Sequence, residues 1–217
     1  MSDLTDTLRA DRVLAVVRAD RVPDAADLCR ALAEGGIRTV ELTFTTPDVL
    51  THVARAARAA DATGTVTGVG TVMTGEQAQA AIDAGAQFLV TPGIRPAVAG
   101  VAVARNIPVF LGAFTASEVA QAVDLGSVAV KIFPAGQLGP TYLKDLHGPF
   151  PTVELLPSGG INAGNAASYL DAGALAVCAG TSVVPPAAVA AGAWHEITDR
   201  AGTFVSALPA APATARS

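Results

Sequence analysis

Short apolar runs rich in valine alternate with alanine-rich helical patterns along almost the whole chain. The runs are continuously hydrophobic over four to six residues, as expected of strands that are buried on both faces of a parallel sheet. They lie at Val13–Arg18, Thr39–Thr43, Thr65–Gly70, Phe88–Thr91, Pro108–Gly112, Val128–Phe133, Glu154–Ser158 and Ala176–Gly180. Helices are predicted between them, for example at Pro23–Glu34, Pro47–Ala60, Glu76–Ala84 and Ser117–Leu125. Eight strands separated by helices indicate an α/β protein with a parallel sheet.

A glycine recurs between predicted helix and predicted strand, in EGGIRTVEL, DAGAQFLV, DLGSVAVKI and DAGALAVCA. These glycines, Gly36, Gly85, Gly126 and Gly173, are 49, 41 and 47 residues apart, the spacing of two βα units. Each is expected to supply the left-handed residue that ends a helix. The pattern predicts a single (β/α)8 TIM barrel. An open doubly wound sheet usually carries a GxGxxG turn after its first strand, and RADR at 18–21 occupies that turn here.

Composition narrows the class of protein further. With 51% hydrophobic residues among 217, the chain can bury enough apolar surface to fold, so disorder is excluded. No run approaches the roughly 18 apolar residues that a membrane span needs. The net charge of −5 argues against nucleic-acid binding. Two cysteines and an N-terminus without a signal pattern predict a soluble, cytoplasmic protein. We expect one domain over 1–206 and an Ala/Pro-rich tail at 207–217.

The sixth strand carries a lysine near its C-terminal end, where the active sites of such barrels lie. Lys131 interrupts the apolar run VAVKIFP and is one of only two lysines in the chain, against twelve arginines. Withdrawing an ammonium group from water is costly, which favours the neutral amine that can act as a nucleophile. The alternative is that the side chain reaches the rim and its ammonium group stays in water. We predict that Lys131 is catalytic.

A carboxylate occupies a comparable position in the second strand. Glu41 lies within TVELT, and a carboxylate flanked by apolar residues in a strand is usually paired or functional. One interpretation is a buried ion pair with Arg18. The other is proton transfer for an imine formed on Lys131, because imine chemistry needs a nearby acid or base.

Two glycine-rich strand ends predict an anion site. PSGGIN at 157–162 and AGTS at 179–182 follow the seventh and eighth strands, where barrels often bind phosphate through backbone N–H groups. The hydroxyls of Ser158, Thr181 and Ser182 add donors, although ordinary tight turns would explain the glycines as well.

Other reactive groups give weaker signals. The three histidines lack metal-ligand spacing, so no metal site is predicted. Cys178, within the eighth strand, is interpreted as a small buried hydrophobic residue.

Taken together, the motifs resemble the class I aldolases that act on 2-keto-3-deoxy-6-phosphogluconate or 4-hydroxy-2-oxoglutarate, enzymes of the (β/α)8 fold. The match runs through nearly the whole chain, in VLAVVRAD, EGGIRTVELTFTTP, GVGTV, AGAQFLVTPG, VAVKIFPA, GPFP, LPSGGIN and VCAGTS. KIFPA and EGGI together with VELT carry most of its specificity. The resemblance implies an aldehyde-lyase of the Entner–Doudoroff pathway that releases pyruvate and glyceraldehyde 3-phosphate. It also implies a homotrimer without metal or cofactor.

The resemblance further assigns roles to individual residues. Lys131 would form the Schiff base, Glu41 would transfer protons, and Thr71 and Pro92 would contact pyruvate. The residues implied in substrate binding are Arg18, Thr45, Thr71, Pro92, Ser158, Gly159, Gly160, Gly180, Thr181 and Ser182.

Two departures leave the substrate open. Thr45 stands where some members carry an arginine that holds the anionic substrate, and Arg18 is the leading replacement. Ser158 replaces a frequent threonine but keeps a hydroxyl group. 4-Hydroxy-2-oxoglutarate and 2-keto-3-deoxy-6-phosphogalactonate are therefore alternative main substrates. A phosphosugar isomerase or epimerase with Glu41 as base, and a non-enzymatic barrel that binds phosphometabolites, are the alternatives from other classes.

Overall fold

Eight parallel strands and ten helices alternate in the computed structural model, which describes residues 2–210 and side chains from Leu4 onward. The strands are β1 Val13–Val17, β2 Thr39–Thr43, β3 Val66–Gly70, β4 Leu89–Val90, β5 Val109–Ala113, β6 Ala129–Ile132, β7 Leu155–Pro157 and β8 Val177–Ala179. The helices are α1 Ser2–Asp11, α2 Ala25–Glu34, α3 Val49–Thr63, α4 Gly75–Asp83, α5 Pro96–Ala104, α6 Ala116–Asp124, α7 Gly139–His147, α8 Ala166–Asp171, α9 Pro186–Ala191 and α10 Trp194–Ser206.

The strands form one sheet in the order β7-β6-β5-β4-β3-β2-β1-β8. The gap between β7 and β8 is bridged by the parallel pair Ser158 and Cys178 and by a hydrogen bond from the Leu175 N–H to the Leu155 carbonyl, 2.9 Å long. The ring is therefore nearly closed, and the predicted (β/α)8 barrel is confirmed.

Strand register places two charged side chains inside this ring. Glu41 pairs with Val16 of β1 and Gly68 of β3, and Lys131 pairs with Gly112 of β5 and Leu156 of β7. Residues paired in register on parallel strands point to the same side of the sheet. Leu156 belongs to the apolar cluster that fills the barrel, so Lys131 points inward as well.

The N-terminal helix closes the bottom of the barrel. Leu4 and Leu8 of α1 are buried and pack with Leu14, Phe110 and the other residues of the interior cluster. The sequence pattern did not predict this helix. Because the bottom is plugged with apolar side chains, the interior opens to solvent at the C-terminal ends of the strands.

Four helices end on the predicted glycines. Gly36, Gly85, Gly126 and Gly173 have φ of +90°, +102°, +85° and +97°, the left-handed region in which a side chain is strained. In the first of these turns the Ile37 N–H donates to the Leu32 carbonyl over 2.8 Å, which completes the helix end. The prediction of these helix stops is confirmed.

Helix α10 ends at Ser206, where the Ala/Pro-rich segment begins. Residues 211–217 of that segment lie outside the described residues, so the division of the chain at 206 stays a prediction. No helix within residues 2–210 is both long and apolar enough to cross a membrane.

Candidate active site

A cavity of about 320 Å³ opens at the C-terminal end of the barrel. Most of its lining comes from the ends of β1, β6, β7 and β8. The lining residues are Val16, Arg18, Thr71, Pro92, Lys131, Phe133, Ser158, Gly159, Gly160, Ile161, Cys178, Gly180, Thr181 and Val184.

Lys131 lines this cavity, and Glu41, which is not among the lining residues, lies beside it. Lys131 Nζ lies 3.5 Å from Glu41 Oε1, and the two side chains are 8% and 1% exposed. Nζ also lies 5.7 Å from the centre of the Phe133 ring. The lysine therefore stays inside the barrel and does not reach into water. Glu41 is paired with Lys131, and the interpretation that pairs it with Arg18 is wrong.

The carboxylate of Glu41 has unused hydrogen-bonding capacity. Within the described part of the chain, neither of its oxygens accepts a hydrogen bond, although both are fully buried. A buried polar group is normally satisfied by protein, water or ligand. A carboxylate left free in this way, beside a buried amine, is available to accept a proton from a molecule in the cavity.

Missing side chains make room for this arrangement on neighbouring strands. A Cβ at Gly70 would overlap Oε1 of Glu41, and a Cβ at Gly112 would overlap the backbone of Pro92. Gly70 is the last residue of β3, and Gly112 is the register partner of Lys131. Because glycine has no side chain, the Glu41 carboxylate of β2 can lie against Gly70, and the Pro92 backbone, which follows β4, can lie against Gly112.

Cys178 faces the cavity from β8, next to the charged pair. Its side chain shares a hydrogen bond with that of Ser158, and both residues line the cavity. Burial raises the pKa of the Cys178 thiol to about 12, which keeps it protonated at neutral pH. The residue is buried as expected, but sequence reasoning did not identify it as part of the site.

The two glycine-rich loops present backbone N–H groups to the same cavity. Gly159 and Gly160 have φ of +87° and +80°, and the chain turns sharply there beneath Phe133. Among residues 2–210, no group accepts a hydrogen bond from the N–H of Gly160, Ile161 or Thr181. Free N–H groups converging on one space are suited to an anion.

The other predicted binding residues divide into two groups. Arg18 and Thr71 line the cavity, and Thr71 has an unusual φ of +58° for a β-branched residue. Pro92 lies opposite, against Gly112. Thr45 lies outside the cavity lining, where its hydroxyl is 2.9 Å from that of Thr43.

Ser182 also lies outside the lining. Its hydroxyl donates to the Ile161 carbonyl over 3.3 Å and so ties the two glycine-rich loops together. Sequence reasoning missed the apolar wall formed by Val16, Phe133, Ile161 and Val184. Val16, Phe133 and Val184 each lie two positions from a predicted site residue, and Ile161 follows Gly160 directly. For Val16 and Phe133, the alternation of inward and outward positions along β1 and β6 would have been the signal.

No cluster of three or more potential metal ligands exists among the described residues. The chemically distinctive groups that line the cavity are the Lys131 amine, the Arg18 guanidinium, the Cys178 thiol and two sets of backbone N–H groups, with the Glu41 carboxylate beside the amine.

Comparison with known proteins gives a consistent result. Residues 4–200 match the family model "Aldolase: KDPG and KHG aldolase". The chain is 39% identical over 199 residues to the 2-dehydro-3-deoxy-phosphogluconate aldolase of Treponema pallidum, which covers 91% of this chain and 94% of that protein.

Two solved structures extend the comparison. The 2-keto-3-deoxy-6-phosphogluconate aldolase of Zymomonas mobilis ZM4, solved with 3-phosphoglycerate, superposes with a TM-score of 0.84 at 31% identity and covers 98% of this chain and 100% of its own. The KDPG aldolase of Legionella pneumophila, with pyruvate captured as a covalent carbinolamine intermediate, gives a TM-score of 0.82 at 29% identity over 92% of this chain and 97% of its own.

Proposed function

Because the chain belongs to the KDPG and KHG aldolase family, we propose that it is a class I aldolase that cleaves 2-keto-3-deoxy-6-phosphogluconate to pyruvate and glyceraldehyde 3-phosphate. One observation carries this function: a buried amine that lines the cavity, Lys131 Nζ, lies 3.5 Å from a buried carboxylate. Such a pair can form an imine and move the protons that the imine chemistry requires.

The first half of the reaction builds the electron sink. Glu41 takes a proton from the Lys131 ammonium group, the resulting amine attacks the C2 carbonyl carbon of the keto acid, and the carbonyl oxygen takes up a proton to give a carbinolamine. Loss of water then leaves a protonated imine between Nζ and C2. Glu41 is the only carboxylate beside Nζ among the described ion pairs, so we assign it both proton transfers.

The second half breaks the carbon–carbon bond. Glu41 accepts the proton of the C4 hydroxyl, directly or through a water, while the C3–C4 electron pair moves into the imine. The aldehyde leaves, the resulting enamine is protonated at C3, and hydrolysis of the imine releases pyruvate and the free amine. Proton transfer of this kind contributes ~10²–10⁴-fold to the rate. The covalent pyruvate carbinolamine of the Legionella pneumophila relative supports the same scheme.

We assign the two anionic ends of the substrate to different groups of the cavity lining. The N–H groups of Gly160, Ile161 and Thr181 suit the phosphate, and Arg18 supplies a guanidinium to the carboxylate. Thr71 and Pro92 would contact the pyruvyl part. Arg18→Ala is expected to raise KM for the keto acid with a smaller change in kcat, because the guanidinium lies away from the bond that breaks.

Trapping with borohydride tests the imine. Incubation with pyruvate and borohydride should add one reduced pyruvyl group to the peptide that contains Lys131, as detected by mass spectrometry. Lys144→Met, the matched change at the other lysine, should trap normally, whereas Lys131→Met should not. Glu41→Gln should trap slowly and lose most cleavage activity. Trapping that persists in Lys131→Met would overturn the assignment.

Substrate preference needs a separate measurement. The family model covers enzymes for both KDPG and KHG, and Thr45 lies outside the cavity lining, where Arg18 is the arginine that a substrate can reach. We expect kcat/KM to favour the phosphorylated keto acid over 4-hydroxy-2-oxoglutarate because of the two N–H-rich loops. The kinetic comparison, with pyruvate release as readout, also includes 2-keto-3-deoxy-6-phosphogalactonate. A preference for the unphosphorylated acid would reassign the main substrate.

We also propose that the protein works as a cytoplasmic homotrimer. Val103, Phe114, Val123 and Phe133 are large apolar side chains with 38% to 61% exposure, more than an isolated barrel needs to show. Both cysteines are free and buried, which fits a reducing compartment. Light scattering coupled to size exclusion should give three times the chain mass, and Val103→Asp should reduce it if that surface is shared.

A further inference from the structure

Three glycines face the barrel interior on the strands next to those that carry Glu41 and Lys131. Gly68 and Gly70 belong to β3, which neighbours β2, and Gly112 belongs to β5, which neighbours β6. In each case the space that a side chain would occupy is filled by another part of the protein. The group that fills the space differs among the three positions. Its identity determines whether the glycine is structural or positions a reacting group.

The spaces at Gly68 and Gly112 are filled by rigid groups. A Cβ at Gly68 would lie 2.5 Å from carbons of the Phe88 ring, and one at Gly112 would lie 2.5 Å from the Gly93 nitrogen. Neither an interior ring nor a neighbouring backbone can move without repacking. These two glycines are therefore structural.

The space at Gly70 is filled first of all by the side chain of Glu41. The three atoms nearest to a Cβ at this position are Oε1, Cδ and Cγ of that glutamate, with Cγ at 2.6 Å. Oε1 is the same oxygen that lies 3.5 Å from Lys131 Nζ. Gly70 does not need glycine for its backbone, because its φ is not positive.

We propose that Gly70 is a positioning residue, whose missing side chain forms the slot that holds the Glu41 carboxylate beside the amine. No described residue donates a hydrogen bond to either carboxylate oxygen. The position of the carboxylate is thus set by the ion pair with Lys131 and by the shape of this slot. This inference rests on the proposed function. It adds to that function the residue that orients the Glu41 carboxylate toward the Lys131 amine.

Gly70→Ala tests the slot with a small change. The three atoms nearest to the added methyl group all belong to the flexible side chain of Glu41, so the barrel should fold while the carboxylate leaves the amine. We expect kcat for cleavage to fall by about 10- to 100-fold, within the range of a proton-transfer contribution. KM should change little, and borohydride should still trap pyruvate on Lys131. Gly202→Ala, at an open position of α10, is the matched control and should leave kcat unchanged.

A double variant separates positioning from other roles of Gly70. In a Glu41→Gln background, the added methyl group should cost less than about twofold, because the carboxylate is already lost. An equal loss in both backgrounds, or a wild-type kcat in Gly70→Ala, would overturn the proposal. Failure of the wild-type protein to trap pyruvate would instead reject the proposed function.

A smaller residue at position 41 covers the case in which Gly70→Ala does not fold. Alanine there lacks the Cγ, Cδ and Oε1 atoms that the new methyl group would meet, so Glu41→Ala combined with Gly70→Ala should fold as well as Glu41→Ala alone. If the double variant is unfolded as well, the space at Gly70 is needed for something other than Glu41, and the slot is rejected.

Discussion

Breaking the buried ion pair should destabilise the fold as well as stop the reaction. Lys131→Met is a suitable perturbation, because methionine retains most of the length of the side chain and leaves little empty space. It removes the charge that faces Glu41, whose side chain is only 1% exposed. The carboxylate must then stay buried without its partner or bind a proton.

The distance sets the size of the effect. At 3.5 Å and an effective dielectric constant of about 20, Coulomb's law gives an attraction of about 5 kcal/mol between the two charges. Removing one partner of a buried pair while the other charge stays buried typically costs about 3–5 kcal/mol. We therefore expect a loss of about 3–5 kcal/mol at pH 7.

A second substitution separates this cause from a packing defect. Adding Glu41→Gln to Lys131→Met should recover stability, because no charge is then left buried. Urea unfolding of the single and the double variant measures the difference. A loss below about 0.5 kcal/mol in Lys131→Met, or one that Glu41→Gln does not reduce, would refute the reasoning.

Three further predictions concern other parts of the molecule. Above pH 9 the folded protein keeps the Cys178 proton, whose pKa is raised to about 12, while the unfolded chain releases it. This thiol should therefore lower stability by about 1.4 kcal/mol per pH unit. In urea titrations at pH 9 to 10.5, Cys178→Ala should reduce the slope by that amount without removing it, because burial also raises the pKa of the Cys29 thiol; equal slopes in the two proteins would contradict the prediction. Leu8→Ala, in the plug at the barrel bottom, should cost about 2–5 kcal/mol in urea unfolding, and a loss under 1 would argue against the plug. Thr115 and Glu118 form the capping box of α6, so Thr115→Ala should cost about 1 kcal/mol in thermal unfolding, whereas Thr115→Ser should cost less.

The barrel could be predicted because its strands are buried on both faces. Burial on both faces produces continuous apolar runs, which can be recognised in the local sequence. Each observed strand lies within two residues of the bounds expected from its run. Helix α1 was not predicted, because a single apolar pair, Leu4 and Leu8, marks its buried face. Its function as a plug depends on the closed ring above it, which no local pattern contains.

The reactive residues of the site could be identified from their types in the sequence, but the distances between them could not be predicted from it. Lys131 and Glu41 stand out because each is a charge in an apolar strand, yet they are 90 positions apart and their separation depends on barrel closure. The same closure brings Cys178 beside them, although its strand suggests only a buried hydrophobic residue. Thr45 lies near the site in sequence but outside the cavity lining, because the chain turns away after β2.

Glycines at the strand ends show why sequence reasoning about small residues needs the structure. A glycine near a barrel mouth suggests that a ligand approaches the backbone there, and the loops at Gly159 and Gly160 fit that interpretation. Gly70 and Gly112 look the same in sequence, but protein atoms fill the spaces beside them. The size of the residue at position 70 is then linked to the side chain at position 41. A chain of this fold that carries a side chain in place of Gly70 must move the acid, or accept a base that no longer points at the amine.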